Sequence, residues 1–273
     1  MKVRKWHWRT ALVMLALLTL IACDSRLIVR RYEVETEEIT SPVRLAVLTD
    51  FHGCRYGENA SELIAAVAGE GPDVVLLVGD IFDDVVAYDE SIALLLGLAE
   101  RYPCYYVTGN HEYWSEDIEN ILTIVQDCGV KTLGITSDTL QVRDQQLTLC
   151  GVNDPYAWRY GSPNTEKQLQ QVAEMTAGAG CTVLLAHRPE LIEKYAVHDF
   201  DLVVSGHAHG GQVRIPGLLN GLYAPNQGWF PPYAGGEYEV NGTTMIVSRG
   251  LARETTRLPR IFNRPELVIV ELK

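Results

Sequence analysis

From residue 43 onward, short apolar runs alternate with amphipathic stretches. Val43–Leu48 comes first, and a helix follows from about Ser61, with Leu63, Ile64 and Val67 on one face. Asp73–Val78 is rich in apolar side chains and bounded by Gly71-Pro72 and Gly79, the mark of a buried strand. A helix through Ile92–Leu98 leads to the strand Cys104–Val107. Ser115, with Glu116 and Asp117 behind it, predicts a helix that Gly129 closes. Thr139–Val142 and Gln146–Val152 are short strands around a turn at Asp144. Thr165-x-x-Gln168 has the form of a capping box, opening a helix that ends in the Gly178–Gly180 segment. Cys181–Ala186, Asp201–Ser205, Thr243–Ser248 and Glu266–Glu271 are further strands, and the Gly/Pro/Asn-rich stretch 210–236 is a loop with a hairpin. No segment repeats. The alternation predicts an α/β fold: one domain of two packed sheets with helices outside.

The first 42 residues break this pattern. Lys2, Arg4, Lys5 and Arg9 precede an apolar run of 12 residues, Ala11–Ala22, interrupted only by Thr19. A membrane span needs roughly 20 residues, whereas a signal-peptide core needs about 7–15 behind a positive start. Leu20-Ile21-Ala22-Cys23 resembles a bacterial lipobox, in which the cysteine is acylated and becomes the mature N-terminus. Residues 1–22 are therefore expected to be a signal peptide or membrane-targeting segment. Residues 23–42 would carry the lipidated Cys23 and a charged linker with room for a first edge strand, and 43–273 would be the folded domain. The competing expectation is an uncleaved N-terminal anchor. Both readings make the protein membrane-associated, and the first makes it an extracytoplasmic lipoprotein exported by the general secretory route, since no twin-arginine pair precedes the apolar run.

Charge narrows the partners. The chain carries −12, and without the four basic residues of its first 22 it holds 19 basic against 35 acidic side chains. Such a body lacks the Lys/Arg surface that phosphate-backbone affinity requires, which excludes a nucleic-acid-binding module but not catalysis on a phosphate. Beyond Cys23 there are five cysteines, none in a C-x-x-C pair, and Cys104, Cys150 and Cys181 sit in or beside apolar runs as buried thiols do.

Five of the apolar runs end in a candidate metal ligand. Val43–Leu48 leads to Asp50-Phe51-His52, and Val74–Val78 to Gly79-Asp80. Tyr105–Val107 leads to Gly109-Asn110-His111-Glu112, Thr182–Ala186 to His187, and Leu202–Ser205 to Gly206-His207-Ala208-His209. Loops at the carboxyl ends of parallel strands gather into one crevice, so these ends bring Asp50, His52, Asp80, Asn110, His187, His207 and His209 together. Glycines 79, 109 and 206 would let the backbone turn sharply there. Carboxylate, amide oxygen and imidazole without thiolate suit Mn²⁺, Fe or Zn²⁺, and four histidines argue against an all-oxygen Ca²⁺ or Mg²⁺ cage. Two such ions can share a carboxylate and a bridging hydroxide for in-line attack at phosphorus. Taken singly, Asp-x-His or Gly-Asp is a weak signal; the whole series in this order, each member closing a strand, is not an accident of composition.

The series DFH, GD, GNHE, H and GHAH resembles the signature of the calcineurin-like metallophosphoesterases. With GHAHGGQ, SRGLARE and RPELVIVEL, it is similar to their bacterial membrane-associated YaeI/YkuE-like branch. The resemblance covers nearly everything after Pro42. It implies a sandwich of two mixed sheets flanked by helices, with Asp50, His52 and His209 on one ion, Asn110, His187 and His207 on the other, and Asp80 bridging. It also implies that His111 is the catalytic histidine, protonating the leaving oxygen. Cys54-Arg55 departs from what many relatives carry.

The expected activity is metal-dependent hydrolysis of a phosphodiester or pyrophosphate at the membrane, with a lipid-linked or nucleotide-linked substrate; a lipid pyrophosphate follows by analogy. The alternatives are a broad phosphomonoesterase and a non-catalytic metal-binding scaffold. Asn153-Asp154 either lines the site or makes a turn before Pro155. Arg249 and Arg253 either grip a phosphate or form surface ion pairs. Asp83 and Asp84 are expected beside the ligands or at the surface, and His7 and His198 in solvent. The loop Trp229-Phe230-Pro231-Pro232-Tyr233 either touches lipid or packs as an ordinary long loop.

Overall fold

The computed structural model describes residues 2–253 and 259–273, with side chains from Trp8 onward, so His7 lies outside the described side chains. The elements are α1 (Lys2–Ala22), β1 (Ile28–Val34), β2 (Val43–Leu48), α2 (Ser61–Glu70), β3 (Val74–Val78), α3 (Asp89–Ala99) and β4 (Cys104–Val107). Then come α4 (Asn110–Trp114), α5 (Ile118–Asp127), β5 (Lys131–Thr132), β6 (Thr136–Val142), β7 (Gln145–Gly151), α6 (Thr165–Thr176) and β8 (Thr182–Leu185). The last are α7 (Ile192–Tyr195), β9 (Leu202–Ser205), β10 (Tyr223–Ala224), β11 (Gly228–Trp229), β12 (Gly236–Val240), β13 (Thr243–Val247) and β14 (Glu266–Leu272).

Two six-stranded mixed sheets face each other, in the orders β1-β14-β2-β3-β4-β5 and β12-β13-β9-β8-β7-β6. Residue alternation builds three layers of core from the same strands. Leu45 and Val47 of β2, with Leu76 and Val78 of β3, meet Leu149, Val183, Leu185 and Val204 between the sheets. The intervening Ala46, Leu48, Val75 and Leu77 turn outward onto Leu63, Leu94, Leu98 and Ile121 of α2, α3 and α5. On the second sheet, Cys150, Leu184 and Val203 turn outward onto Leu169 and Val172 of α6. Burial on both faces is why the central strands read as unbroken apolar runs.

Residues 28–34, inside the stretch expected as a linker, form β1, paired in parallel with β14 from Ile28↔Glu266 to Val34↔Leu272. The helix expected from Ser115 begins later and is preceded by the separate α4, with Glu116 at φ 59 breaking the two apart. Asn164, not Thr165, caps α6: its side chain accepts the Lys167 N–H at 3.0 Å. Gln168 instead reaches back, donating to the Pro163 carbonyl at 2.8 Å and accepting the Asn153 N–H at 2.9 Å. β12, an edge strand, falls outside the expected strands; its alternating Glu237, Tyr238 and Glu239 leave no apolar run. No helix among the described residues is long and apolar enough to cross a membrane.

Candidate metal centre

β2, β3 and β4 run parallel in one sheet, as do β8 and β9 in the other, so their carboxyl ends open into a shared crevice. The segments leaving those ends hold Asp50, His52, Asp80, Asn110, His187, His207 and His209, all buried. Ligand atoms of Asp50, His52, Asp80 and His209 lie within 4.8 Å of one another, and so do those of Asp80, His187 and His207. Asp80 belongs to both groups. His187 Nε2 is 3.1 Å and His52 Nε2 3.8 Å from Asp80 Oδ2, while His209 Nε2 is 3.6 Å from Asp50 Oδ1.

The backbone is bent to make this convergence. Asp50, His52, Asp80, His207 and His209 all adopt positive φ, between 47° and 65°, a region non-glycine residues avoid and one that marks functional loops. Gly79 also has positive φ, 80°, and a Cβ there would meet His187 Nδ1 at 2.5 Å. Gly109 has an ordinary φ of −104°, so the expectation of a sharp turn fails at that position. Its requirement is space, since a Cβ would meet Asp80 Oδ1 at 2.2 Å. Gly206 is likewise pressed against Asp50, whose Oδ2 a Cβ would approach to 2.6 Å.

Surrounding groups orient the ligands. His187 Nδ1 donates to the Val78 carbonyl at 2.9 Å and His52 Nδ1 to Asp83 Oδ2 at 2.9 Å, so each turns its Nε2 toward Asp80. His207 Nε2 stands 3.0 Å from Arg188 Nη1 and 2.9 Å from Asn226 Oδ1, which leaves Nδ1 as its nitrogen for a metal. Asp50 receives the His207 N–H and Asp80 the His111 N–H, both at 2.9 Å. A metal fits this set on the structure's own terms. His52 Nε2, Asp80 Oδ2, Asn110 Oδ1 and His187 Nε2 are buried polar atoms without a hydrogen-bond partner, a costly state that a cation would relieve.

Charges in the crevice are unevenly held. Burial pushes Asp50 above the usual carboxylate range. Asp80 is also buried, but the charge of His187 beside it outweighs that and holds it well below. Burial draws His207 and His209 well down, keeping them as the neutral imidazoles that ligate metals. For His111 burial acts downward, yet Asp83, Asp80 and Asp84 together raise it to about 9. His111 lies beside this crevice, its Nδ1 2.6 Å from Asp84 Oδ1 and its ring 4.7 Å from that of Trp114.

Several residues stand elsewhere than expected. The ion pair expected of Arg249 at the surface is instead buried, with Glu266, which also accepts its backbone N–H at 2.9 Å. Arg253 covers the Tyr56 ring at 3.9 Å and, with His52, His111, Asp83 and Arg55, lines a cavity of about 780 Å³. Asp154 makes both the expected turn, accepting the Tyr156 N–H, and a buried ion pair with Arg188. His198 is half-buried at the amino-terminal ends of β8 and β9, away from the crevice. Four contributors lie outside the sequence-based set: Glu112, Arg188, Asn226 and Gly250. Glu112 and Gly250 have a visible signal, their places in Gly-Asn-His-Glu and Ser-Arg-Gly-Leu-Ala-Arg-Glu. Gly250 follows another strand end, and a Cβ on it would meet Asp50 Cβ at 2.7 Å.

A sandwich of two mixed sheets with a buried Asp/His/Asn cluster at its strand ends defines the class of metal-dependent phosphoesterases. The chain belongs to the calcineurin-like phosphoesterase family, whose model matches residues 43–211. It is 30% identical over 229 residues to an uncharacterized metallophosphoesterase of Helicobacter pylori, covering 81% of this chain and 58% of that protein. To YkuE of Bacillus subtilis, also an uncharacterized metallophosphoesterase, it is 26% identical, covering 79% of this chain and 73% of that one. A Danio rerio transmembrane protein with metallophosphoesterase domain is 29% identical over 86% of this chain and 54% of its own length. The chain thus spans about half the length of the vertebrate relative. Among solved structures, Haemophilus influenzae NAD nucleotidase shares the fold at a TM-score of 0.55 and 15% identity, over 78% of this chain and 46% of that one.

Proposed function

We propose that the protein is a dinuclear hydrolase of phosphodiester or pyrophosphate bonds acting at a membrane. Asp50, His52 and His209 would hold one cation, Asn110, His187 and His207 the other, and Asp80 both. The observation that carries this reading is the convergence of the partnerless buried Nε2 atoms of His52 and His187 on Asp80 Oδ2, at 3.8 and 3.1 Å. The donor set favours Mn²⁺, with Fe and Zn²⁺ next. When bound, the ions supply Lewis-acid charge for the phosphoryl oxygens and a water acidic enough to serve as nucleophile.

His111 is the general acid in this reading. Asp83 and Asp84 hold its Nδ1 at 3.4 and 2.6 Å, leaving Nε2 to pass a proton to the leaving oxygen. The cavity beside it extends past Cys54, Arg55 and Arg253, giving a second ester group somewhere to lie. That room favours a diester or pyrophosphate over a monoester. A non-catalytic scaffold would have no use for a complete ligand set or for His111. Membrane action is supported by the apolar segment ending at the exposed Cys23, the residue proposed to be lipidated, and by the transmembrane naming of the vertebrate relatives.

The test is hydrolysis of bis-p-nitrophenyl phosphate against p-nitrophenyl phosphate by the full chain, stripped of metal and reloaded with Mn²⁺. Preferential, metal-dependent cleavage of the diester, abolished in Asp80→Ala, is the expected result. Preference for the monoester would replace this reading with the phosphatase one, and inactivity of protein carrying two metals per chain would replace it with the scaffold.

A further inference from the structure

The chain has 35 Asp and Glu, yet none between residues 202 and 236. Within that stretch Leu218, Trp229 and Phe230 are exposed at 81%, 65% and 67%. The β10–β11 hairpin presents Trp229 and Phe230, with the Tyr223 and Trp229 rings 5.5 Å apart and the Phe230 N–H donating to the Leu222 carbonyl. Leu218 tops the turn just before it, its N–H donating to the Ile215 carbonyl. Solvated loops in an acidic protein do not ordinarily show large apolar tips along a stretch without acids.

The same flank receives α1. The Phe262 N–H donates to the Ala22 carbonyl at 2.7 Å, and the preceding Ile261 bridges Val213, two residues before exposed Ile215. Leu12, Met14, Leu15, Leu18 and Ile21 of α1 are each more than half exposed, so the second half of the helix is apolar around its circumference, a pattern suited to lipid and not to water. Its apolar run is too short to span alone, and stable membrane attachment by a marginal anchor takes a second contact. An acylated Cys23 would leave the body at the same place, one residue beyond Ala22.

We propose that the loop bearing Leu218, Trp229 and Phe230 is that second contact, a docking surface for a lipid bilayer. Aromatic rings with apolar bodies favour the headgroup boundary. Asn226, three residues before Trp229, hydrogen-bonds His207, so a docked loop brings the metal centre within about 10 Å of the headgroups. That last step rests on the phosphoesterase reading and lets a lipid-borne phosphate enter the crevice from the bilayer.

The experiment places the full chain on phosphatidylethanolamine/phosphatidylglycerol vesicles whose acyl chains are brominated near the headgroup. Emission quenching is compared between wild type and Trp229→Phe. The wild type should lose more emission than the variant, the difference being the Trp229 component. Equal quenching would overturn the proposal, as would a loop covered by a second copy, seen as a dimer that Leu218→Ser/Phe230→Ser dissolves. In the same double variant, cleavage of a vesicle-borne nitrophenyl phosphodiester should fall several-fold while soluble bis-p-nitrophenyl phosphate is cleaved as before. Quenching of Trp229 without hydrolysis of either compound would support docking and defeat only the enzymatic reading.

Discussion

Glu112 lies fully buried beneath Asp80 and accepts the Asp80 backbone N–H at 3.1 Å. The same carboxylate accepts the N–H groups of Ile81 at 2.8 Å, Phe82 at 3.2 Å and Gly109 at 2.8 Å. It therefore ties the loop after β3 to the loop after β4, and fixes Asp80 where both ligand groups need it. Glu112→Ala would leave four buried N–H groups unanswered, at a cost of at least about 3 kcal/mol. Glu112→Gln turns an NH₂ toward two of those donors and should weaken metal binding about 10–100-fold. Urea unfolding and Mn²⁺ titration check both; a fully stable Glu112→Gln protein with unchanged affinity would refute the bracing role.

Asp83 calls for a gentler substitution. Its Oδ1 accepts the Val85 and Val86 N–H groups at 2.9 and 3.1 Å, while Oδ2 fixes His52. Asparagine can keep the first pair and lose the second, because its NH₂ cannot accept the His52 Nδ1 proton. Asp83→Asn should fold normally yet bind metal about 10–100-fold more weakly, as measured by competition with a chelating dye. Equal affinity would show that an orienting acceptor, such as the Val78 carbonyl supplies at His187, is not needed at His52.

The Arg188–Asp154 pair is buried next to His207 and closed by Asn226. Removing one partner strands a charge, so Arg188→Ala should cost about 3–5 kcal/mol. Arg188→Met/Asp154→Leu removes both charges and should recover most of that stability without recovering His207's orientation. Denaturant melts paired with metal content per chain separate the two effects. A double variant no more stable than Arg188→Ala would argue that packing, not the stranded charge, dominates.

What can be read from the sequence follows from what each group does. Strands buried on both faces are continuous apolar runs, so their ends, and the ligands just past them, stand out along the chain. Glu112, Arg188 and Asn226 act through backbone amides, a partner carboxylate and an imidazole from distant segments, and such pairings leave no periodic trace. Arg249 illustrates the limit: next to a glycine-rich strand end it looks like a phosphate grip, and only the register of β14 reveals that Glu266 is already there. β12 is silent for the opposite reason, since an edge strand with one face in water needs no apolar run.

The histidines make the stability of the metal-free protein depend on pH in a definite direction. Burial works against the charged form of His187, but Asp80 and Asp50 overcome it and raise it to about 10, as Asp83, Asp80 and Asp84 raise His111 to about 9. An imidazole whose pKa rises on folding contributes stability in full below its unfolded value near 6.5 and loses it as pH climbs through the folded value. The metal-free chain should therefore melt progressively lower from about pH 6.5 to about pH 10. Metal binding requires His187 as the free base, so Mn²⁺ affinity should rise across that same window and the loaded protein should melt at a nearly constant temperature. Thermal melts at fixed ionic strength, with and without Mn²⁺, test this. Parallel curves for the two forms would mean that His187 does not exchange its proton for the cation, and it would have to be removed from the ligand set.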